Sequence, residues 1–237
     1  MRIALLADIH GNDLALRAVL EDAKKNGATE LFVAGDLSGY YYGLDAVIAL
    51  LDLWPWEGVQ GNHDAWLVKI LDGDKEILSW YSRKYGSSFE AAMHDLNDGH
   101  RDSFVSLAPS RVIERAGKKI LLCHGSPWSQ DEYVYPDAPT ELFDRIAALG
   151  HDAVIMGHTH YPMVKRIGST VIINPGSAGQ PRDIGNSASW AIFDPESGDV
   201  EPHRTIFDPA PLLAEIERRD PQHPYLRDVL LRNKNIT

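Results

Sequence analysis

The sequence predicts a layered α/β fold, and three patterns point that way. Short, continuous apolar runs recur along the chain, stretches of helical periodicity separate the first of them, and short β-rich segments divided by turns follow residue 163. An apolar run without alternation signals a strand covered on both faces, because a strand with one wet face would alternate.

The elements follow in order. Ile3–Ala7 is an apolar run that ends in Asp8-Ile9-His10-Gly11-Asn12. Leu14, Ala18, Val19 and Ala23 then share one helical face, with Asp13 at its start and Gly27 at its stop. Leu31–Ala34 forms a second run into Gly35-Asp36, and Leu44, Val47, Ile48 and Leu51 mark a second helix. Gly58-Val59-Gln60 leads to Gly61-Asn62-His63-Asp64. A mostly helical excursion follows, from about residue 65 to about residue 110. Ile120–Cys123 ends at His124-Gly125, and Ala153–Met156 ends at Gly157-His158-Thr159-His160. Val164–Ile167, Thr170–Ile173, Trp190–Phe193 and Val200–Ile206, parted by Gly-Ser, Pro-Gly-Ser and Gly-Asp turns, predict a meander of antiparallel hairpins. Ala210–Arg219 and Tyr225–Arg232 predict a helical tail. With no repeat, low-complexity tract or linker, residues 1–237 read as one domain carrying a helical insertion at about 65–110.

Composition narrows the function classes. No apolar run approaches the roughly 18 residues a bilayer span requires. The run Met1–Ala7 is too short for a signal peptide, lacks a small-residue cleavage site, and ends in Asp8 and His10. A single cysteine, Cys123, excludes an internal disulfide framework and suits a reducing cytoplasm; it reads as a core residue. The net charge of −11 argues against non-specific binding to nucleic acid or anionic membranes. A phosphate-containing substrate would therefore need a local positive centre.

The strand ends supply candidates for that centre. Each delivers Asp, Asn or His beside a glycine, whose freedom permits a sharp turn out of the sheet. In open α/β sheets, ligands collect outside the carboxyl ends of strands. Asp8 and His10 are two apart, as are His158 and His160, a spacing that places both members on one side of extended chain. The set predicts a dinuclear site: Asp8, His10 and His160 on one ion, Asn62, His124 and His158 on the other, and Asp36 bridging. Mixed nitrogen and oxygen donors favour two divalent transition-metal ions, manganese first, with iron, zinc, cobalt or nickel as alternatives, over calcium or magnesium. Two such ions bring roughly +4 against the two carboxylates, leaving about +2 to attract phosphate and to acidify a bound water. His63, next to Asn62, is expected to protonate the leaving oxygen or to stabilise phosphoryl charge, with Asp64 fixing its orientation.

These motifs, Asp8-Ile9-His10-Gly11-Asn12, Gly35-Asp36, Gly61-Asn62-His63-Asp64, His124-Gly125 and Gly157-His158-Thr159-His160, resemble in order those of the calcineurin-like metallophosphoesterase superfamily. The resemblance implies a four-layer αββα sandwich of two mixed sheets flanked by helices. It also implies in-line attack on a phosphate ester by metal-bound hydroxide. Gly35-Asp36-Leu37-Ser38-Gly39-Tyr40 and Asn174–Arg182 are most similar to small bacterial phosphodiesterases and diadenosine polyphosphate hydrolases. Protein Ser/Thr phosphatases and symmetrical diadenosine tetraphosphatases carry Asp-Arg soon after the Gly-Asp. Ser38-Gly39-Tyr40 stands here instead and argues against both activities.

Expected substrates are thus small phosphomonoesters, phosphodiesters or dinucleoside polyphosphates, with a nucleotide among them; the alternative is a non-catalytic metal-binding scaffold of the same fold. Asn12 is a candidate substrate contact or a helix cap. Arg182 is a candidate phosphate clamp or a partner for Asp183. Tyr40, Tyr41, Tyr42, Trp128 and Tyr133 are candidates for stacking on a base or for packing. Apolar residues in the excursion leave an oligomer open.

Overall fold

The structure, a computed structural model, describes residues 1–232. Ten strands form two mixed sheets. In the first lie β1 (Ile3–Leu6), β2 (Glu30–Val33), β3 (Trp56–Gly58), β9 (Ser187–Asp194) and β10 (Asp199–Ile206), in the order β10-β9-β1-β2-β3. In the second lie β4 (Ser110–Arg115), β5 (Lys118–Cys123), β6 (Ala153–Ile155), β7 (Met163–Ile167) and β8 (Thr170–Asn174), in the order β4-β5-β6-β8-β7. The centre of each sheet is parallel (β1 with β2, β5 with β6, β6 with β8), and antiparallel hairpins close the β9–β10 and β4–β5 edges.

Strand alternation explains the layering. On β1, Ile3 and Leu5 join Phe32, Ile120, Leu122, Ile155, Ile173 and Phe193 in a core between the sheets. Ala4 and Leu6, on the opposite face, pack on helices α1 (Asp13–Lys25) and α2 (Leu44–Leu51) through Leu16, Val19, Val47 and Ile48. On the second sheet Leu121, Val154 and Ile172 face outward onto Phe143 and Ile146 of α7 (Thr140–Ala147). Helix, sheet, sheet and helix are the four expected layers, and the central strands β1 and β6 are apolar on both faces, as their continuous runs require.

Helix α1 starts where its sequence signals it: the Asn12 side chain accepts from the Ala15 amide at 3.1 Å, and Lys24 and Lys25 sit in the last turn. The excursion comprises α3 (Asn62–Leu71), α4 (Lys75–Tyr85), α5 (Ser88–Asp95) and α6 (Asp98–Val105). Helices α8 (Ala210–Arg219) and α9 (Pro224–Leu230) form the tail.

Two expectations change. The stretch after Met163 is two hairpins in different sheets rather than one meander: β7 and β8 pair in the second sheet, while β9 and β10 extend the first. The Pro175–Asn186 loop carries the chain across. Strand β4 had no counterpart in the sequence reading, because Ser110-Arg111-Val112-Ile113-Glu114-Arg115 is an edge strand whose single buried residue is Ile113. No helix among the described residues is long and apolar enough to cross a membrane.

Candidate metal centre

The sheets meet so that the carboxyl ends of β1, β2, β5 and β6, together with the start of α3, converge. Asp8, His10, Asp36, Asn62, His124, His158 and His160 are all buried there. Five of them, Asp8, His10, Asp36, His158 and His160, hold the left-handed backbone at φ of 53–67°. That conformation costs an L-residue of order 1–3 kcal/mol and persists only where the surroundings enforce it. In each case it turns the chain off a strand so that the side chain enters the shared centre. Gly61 is required nearby: a Cβ there would lie 2.1 Å from Asp36 Oδ1.

The donors fall into two triads, Asp8–His10–His160 and Asp36–His124–His158, each with one ligand atom per residue within 4.8 Å of the others. Asp36 Oδ2 stands between them, 3.7 Å from His10 Nε2 and 3.3 Å from His124 Nε2. Asn62 Oδ1 is 3.1 Å from His124 Nε2. Backbone carbonyls fix the imidazoles: Nδ1 of His10, His124 and His160 lie 2.9, 2.7 and 2.7 Å from the oxygens of Ser38, Ala34 and Gln180. With the ring proton spent on a carbonyl, Nε2 of His10 and of His160 presents a lone pair to the centre.

The consequence is a set of acceptors facing one another. His10 Nε2 and His160 Nε2 are only 3.1 Å apart, and His158 Nε2 is buried with no hydrogen-bond partner. Lone pairs so placed repel unless a cation lies among them. The donor set therefore fits divalent ions.

Titration behaviour agrees at His10, His158 and His160. Burial pushes His10 down to about 3 and His158 down to about 4, and it holds His160 well below its ordinary value, so all three remain neutral ligands. Burial alone would raise Asp36, but the charges of His124 and His63 reverse that and hold it ionised. Burial, with the Asp36 charge adding, raises Asp8 above the usual carboxylate range. His124 differs: burial opposes its protonation, yet the charges of Asp36 and Asp8 outweigh burial and lift the imidazole to about 10, so with no cation between them its Nε2 holds a proton toward Asp36 that a metal ion would displace.

A cavity of about 250 Å³ opens beside the centre, lined in part by Asp36, Asn62, His63, His158, His160 and Arg182. The His63 amide donates to Asp36 Oδ1 at 2.9 Å, so the start of α3 faces that carboxylate with its positive dipole end. The partner of the His63 ring is not Asp64. Its Nδ1 lies 3.2 Å from the Tyr81 hydroxyl, which also accepts from the Tyr40 amide at 3.0 Å. Asp64 instead accepts from the amides of Leu37, Ser38 and Gly61 and from the Ser38 hydroxyl, tying the Asp36 loop to the start of α3.

The remaining candidates divide. The Asn12 amide caps α1 and donates to the Gly179 carbonyl at 2.8 Å, so both of its ends are engaged within the fold. Arg182 does not pair with Asp183, whose carboxylate takes Arg204 instead; it lines the cavity with Nε unpartnered. Burial works against its charge, but Tyr225, Tyr40 and Asp8 keep it cationic. Tyr40 and Tyr133 line the cavity. Tyr41 and Tyr42 are buried on Leu226 and Asp220, and Trp128 lies under Arg145. Trp66, Trp80, Tyr81, Lys84, Tyr85 and Asp131 went unread in the sequence, because none sits in a motif.

The profile of the calcineurin-like phosphoesterase superfamily domain matches residues 1–198. The chain belongs to that superfamily. An uncharacterized protein of Methanocaldococcus jannaschii is 31% identical over 87% of this chain and 88% of its own length. A protein of Methanothermobacter thermautotrophicus named "probable metallophosphoesterase" is 29% identical over 86% of this chain and 93% of its own. Among solved structures, a metallophosphoesterase from Sphaerobacter thermophilus superposes with a TM-score of 0.73 at 29% identity, covering 92% of this chain and 93% of that one. Membership in this phosphoesterase superfamily agrees with two buried candidate metal-ligand groups beside a cavity.

Proposed function

We propose that the chain is a dinuclear metal-dependent hydrolase of small phosphate esters. The observation that carries this is the pair of donor triads with Asp36 Oδ2 between them and imidazole lone pairs directed inward without protons to separate them. Asp8, His10 and His160 would hold one ion, and Asn62, His124 and His158 the other, with Asp36 shared. Manganese is the first choice for this donor chemistry. Bound divalent ions supply an acidified water and positive charge for the phosphoryl group.

The protein's own groups do the rest. Carbonyls of Ser38, Ala34 and Gln180 keep three ligand imidazoles in one tautomer. The Tyr81 hydroxyl, with the Tyr40 amide on its lone pair, directs its proton to His63 Nδ1 and leaves the Nε2 proton for the cavity. From there His63 donates to the leaving or phosphoryl oxygen. Arg182 clamps a phosphate oxygen from the cavity wall. Asn12 acts at one remove, by seating the Gly179 segment that leads to Arg182. Asp64 likewise serves the site by joining the loops that carry Asp36 and His63. We read residues 1–237 as one domain, working in a reducing cytoplasm on a small-molecule substrate, with the excursion near 65–110 shaping its choice.

The test is hydrolysis of a generic aryl phosphodiester by purified protein. Turnover should depend on added manganese and fall about 10²–10⁴-fold in His63→Ala while metal content is unchanged. Unchanged turnover in that metal-replete variant would remove His63 from catalysis, and inert wild-type protein would sink the hydrolase reading.

A further inference from the structure

The cavity has a second wall, of different chemistry from the donor triads. It is built by the helical excursion: Trp66 from α3, and Trp80, Lys84 and Tyr85 from α4. On α4 only Tyr81 is fully buried in the core. Trp80 remains 38% exposed, and Tyr85 is half-buried. Large rings left wet at a cavity are a cost to the fold, recovered where a ligand covers them.

The rings form a continuous surface leading away from His63. Trp66 lies 4.9 Å from the His63 ring centroid and Tyr85 lies 5.5 Å from it. Trp80 meets Trp66 edge-on at 5.2 Å and Tyr85 edge-on at 5.9 Å. Lys84 Nζ rests over this surface, 5.1 Å from the Trp80 centroid and 4.8 Å from that of Tyr85. Among the described residues no carboxylate pairs with Lys84, so its charge is available at the cavity edge in addition to that of Arg182.

We propose that this wall binds the organic portion of the ester, and that this portion carries an aromatic ring with an anionic group beside it, as in a nucleotide. The inference rests on the phosphoesterase reading and adds the substrate class. An alkyl phosphate would leave the rings wet and Lys84 unpaired; a base would cover the first and its phosphates would reach the second. Stacking of a base on an aromatic side chain is worth roughly 5- to 100-fold in affinity.

The experiment is competition at initial rates against the aryl phosphodiester, using adenosine 5′-monophosphate and glycerol 3-phosphate as the two probes. Wild-type protein should bind the nucleotide at least about 10-fold more tightly, and the nucleotide should quench tryptophan fluorescence. Trp80→Ala should bring the affinity ratio toward one and reduce the quenching, whereas Trp80→Phe should retain most of the preference. Lys84→Ala, at an exposed position, should weaken the nucleotide more than glycerol phosphate. Equal inhibition by the two probes in wild-type protein, or a preference that survives Trp80→Ala, overturns the inference and leaves the phosphoesterase reading standing. Lack of inhibition by the nucleotide likewise overturns the inference alone, whereas absence of any turnover removes both.

Discussion

Replacing Tyr81 by phenylalanine isolates one hydroxyl at the heart of the proposed chemistry. The ring stacks on Phe89 with centroids 3.6 Å apart and planes 19° from parallel, and phenylalanine keeps that contact. What disappears is an oxygen 3.2 Å from His63 Nδ1, 3.0 Å from the Tyr40 amide and 3.4 Å from the Ser88 hydroxyl. The Tyr40 amide is left buried without a partner, a loss of about 1–3 kcal/mol in stability. His63 loses the contact that selects its tautomer and aims its ring, and turnover should fall by roughly 10- to 100-fold. The assay combines urea unfolding, metal content, kcat and KM on the aryl phosphodiester, and the ¹⁵N shifts of the His63 ring. The expected result is lower kcat with KM and metal content held, and a wild-type ring protonated at Nε2 that becomes a tautomer mixture in Tyr81→Phe. Wild-type His63 carrying its proton on Nδ1, or unaltered kcat in metal-replete Tyr81→Phe, would refute the reasoning.

Further outcomes follow from the same geometry. Gly61→Ala places a methyl 2.1 Å from Asp36 Oδ1 and 2.4 Å from the Asp36 amide, so the shared carboxylate must move. Metal affinity should drop about 10- to 100-fold by calorimetric titration, and wild-type affinity would count against Asp36 as the bridge. Burial lowers His63 to about 4, below its ordinary value. Between about pH 4 and 6.5 the unfolded chain therefore takes up a proton that the folded one refuses. Stability of the metal-free protein gains from this group as pH rises through that window, with a slope of at most roughly 1.4 kcal/mol per pH unit. Unfolding curves for His63→Ala at pH 4.5 and 6.5 should show that slope reduced; an identical slope contradicts the assignment. Burial pushes the Cys123 thiol up to about 12, so thiol reagents at pH 8 should modify it only after unfolding. Rapid labelling of native protein would show the second sheet to be more open than described.

The parts of this site that the sequence revealed are those carried on consecutive residues at strand ends. Asp8 with His10, His158 with His160, and Gly61 through His63 announce themselves because the turn and the ligand are encoded together, glycine beside donor. The same continuous runs foretold the two-faced burial of β1, β2, β5 and β6. Tyr81 was illegible because it reaches His63 from α4 across 18 residues, with no periodic or motif signal to tie them. Asp64 was misassigned to His63 on adjacency, whereas its position in the first turn of α3 turns its carboxylate back to the Gly61 amide and the Ser38 loop. The hairpins after Met163 were legible singly. Their division between two sheets was not, since a turn sequence fixes a hairpin and says nothing about which sheet accepts it.

The account stands on two neighbouring cations held by one shared carboxylate. An anomalous-difference map of crystals grown from manganese-loaded protein tests this most directly. It should contain two peaks about 3.5–4 Å apart, one against Asp8, His10 and His160, the other against Asn62, His124 and His158, with Asp36 touching both. A single peak, or none among these side chains in fully loaded protein, would contradict it.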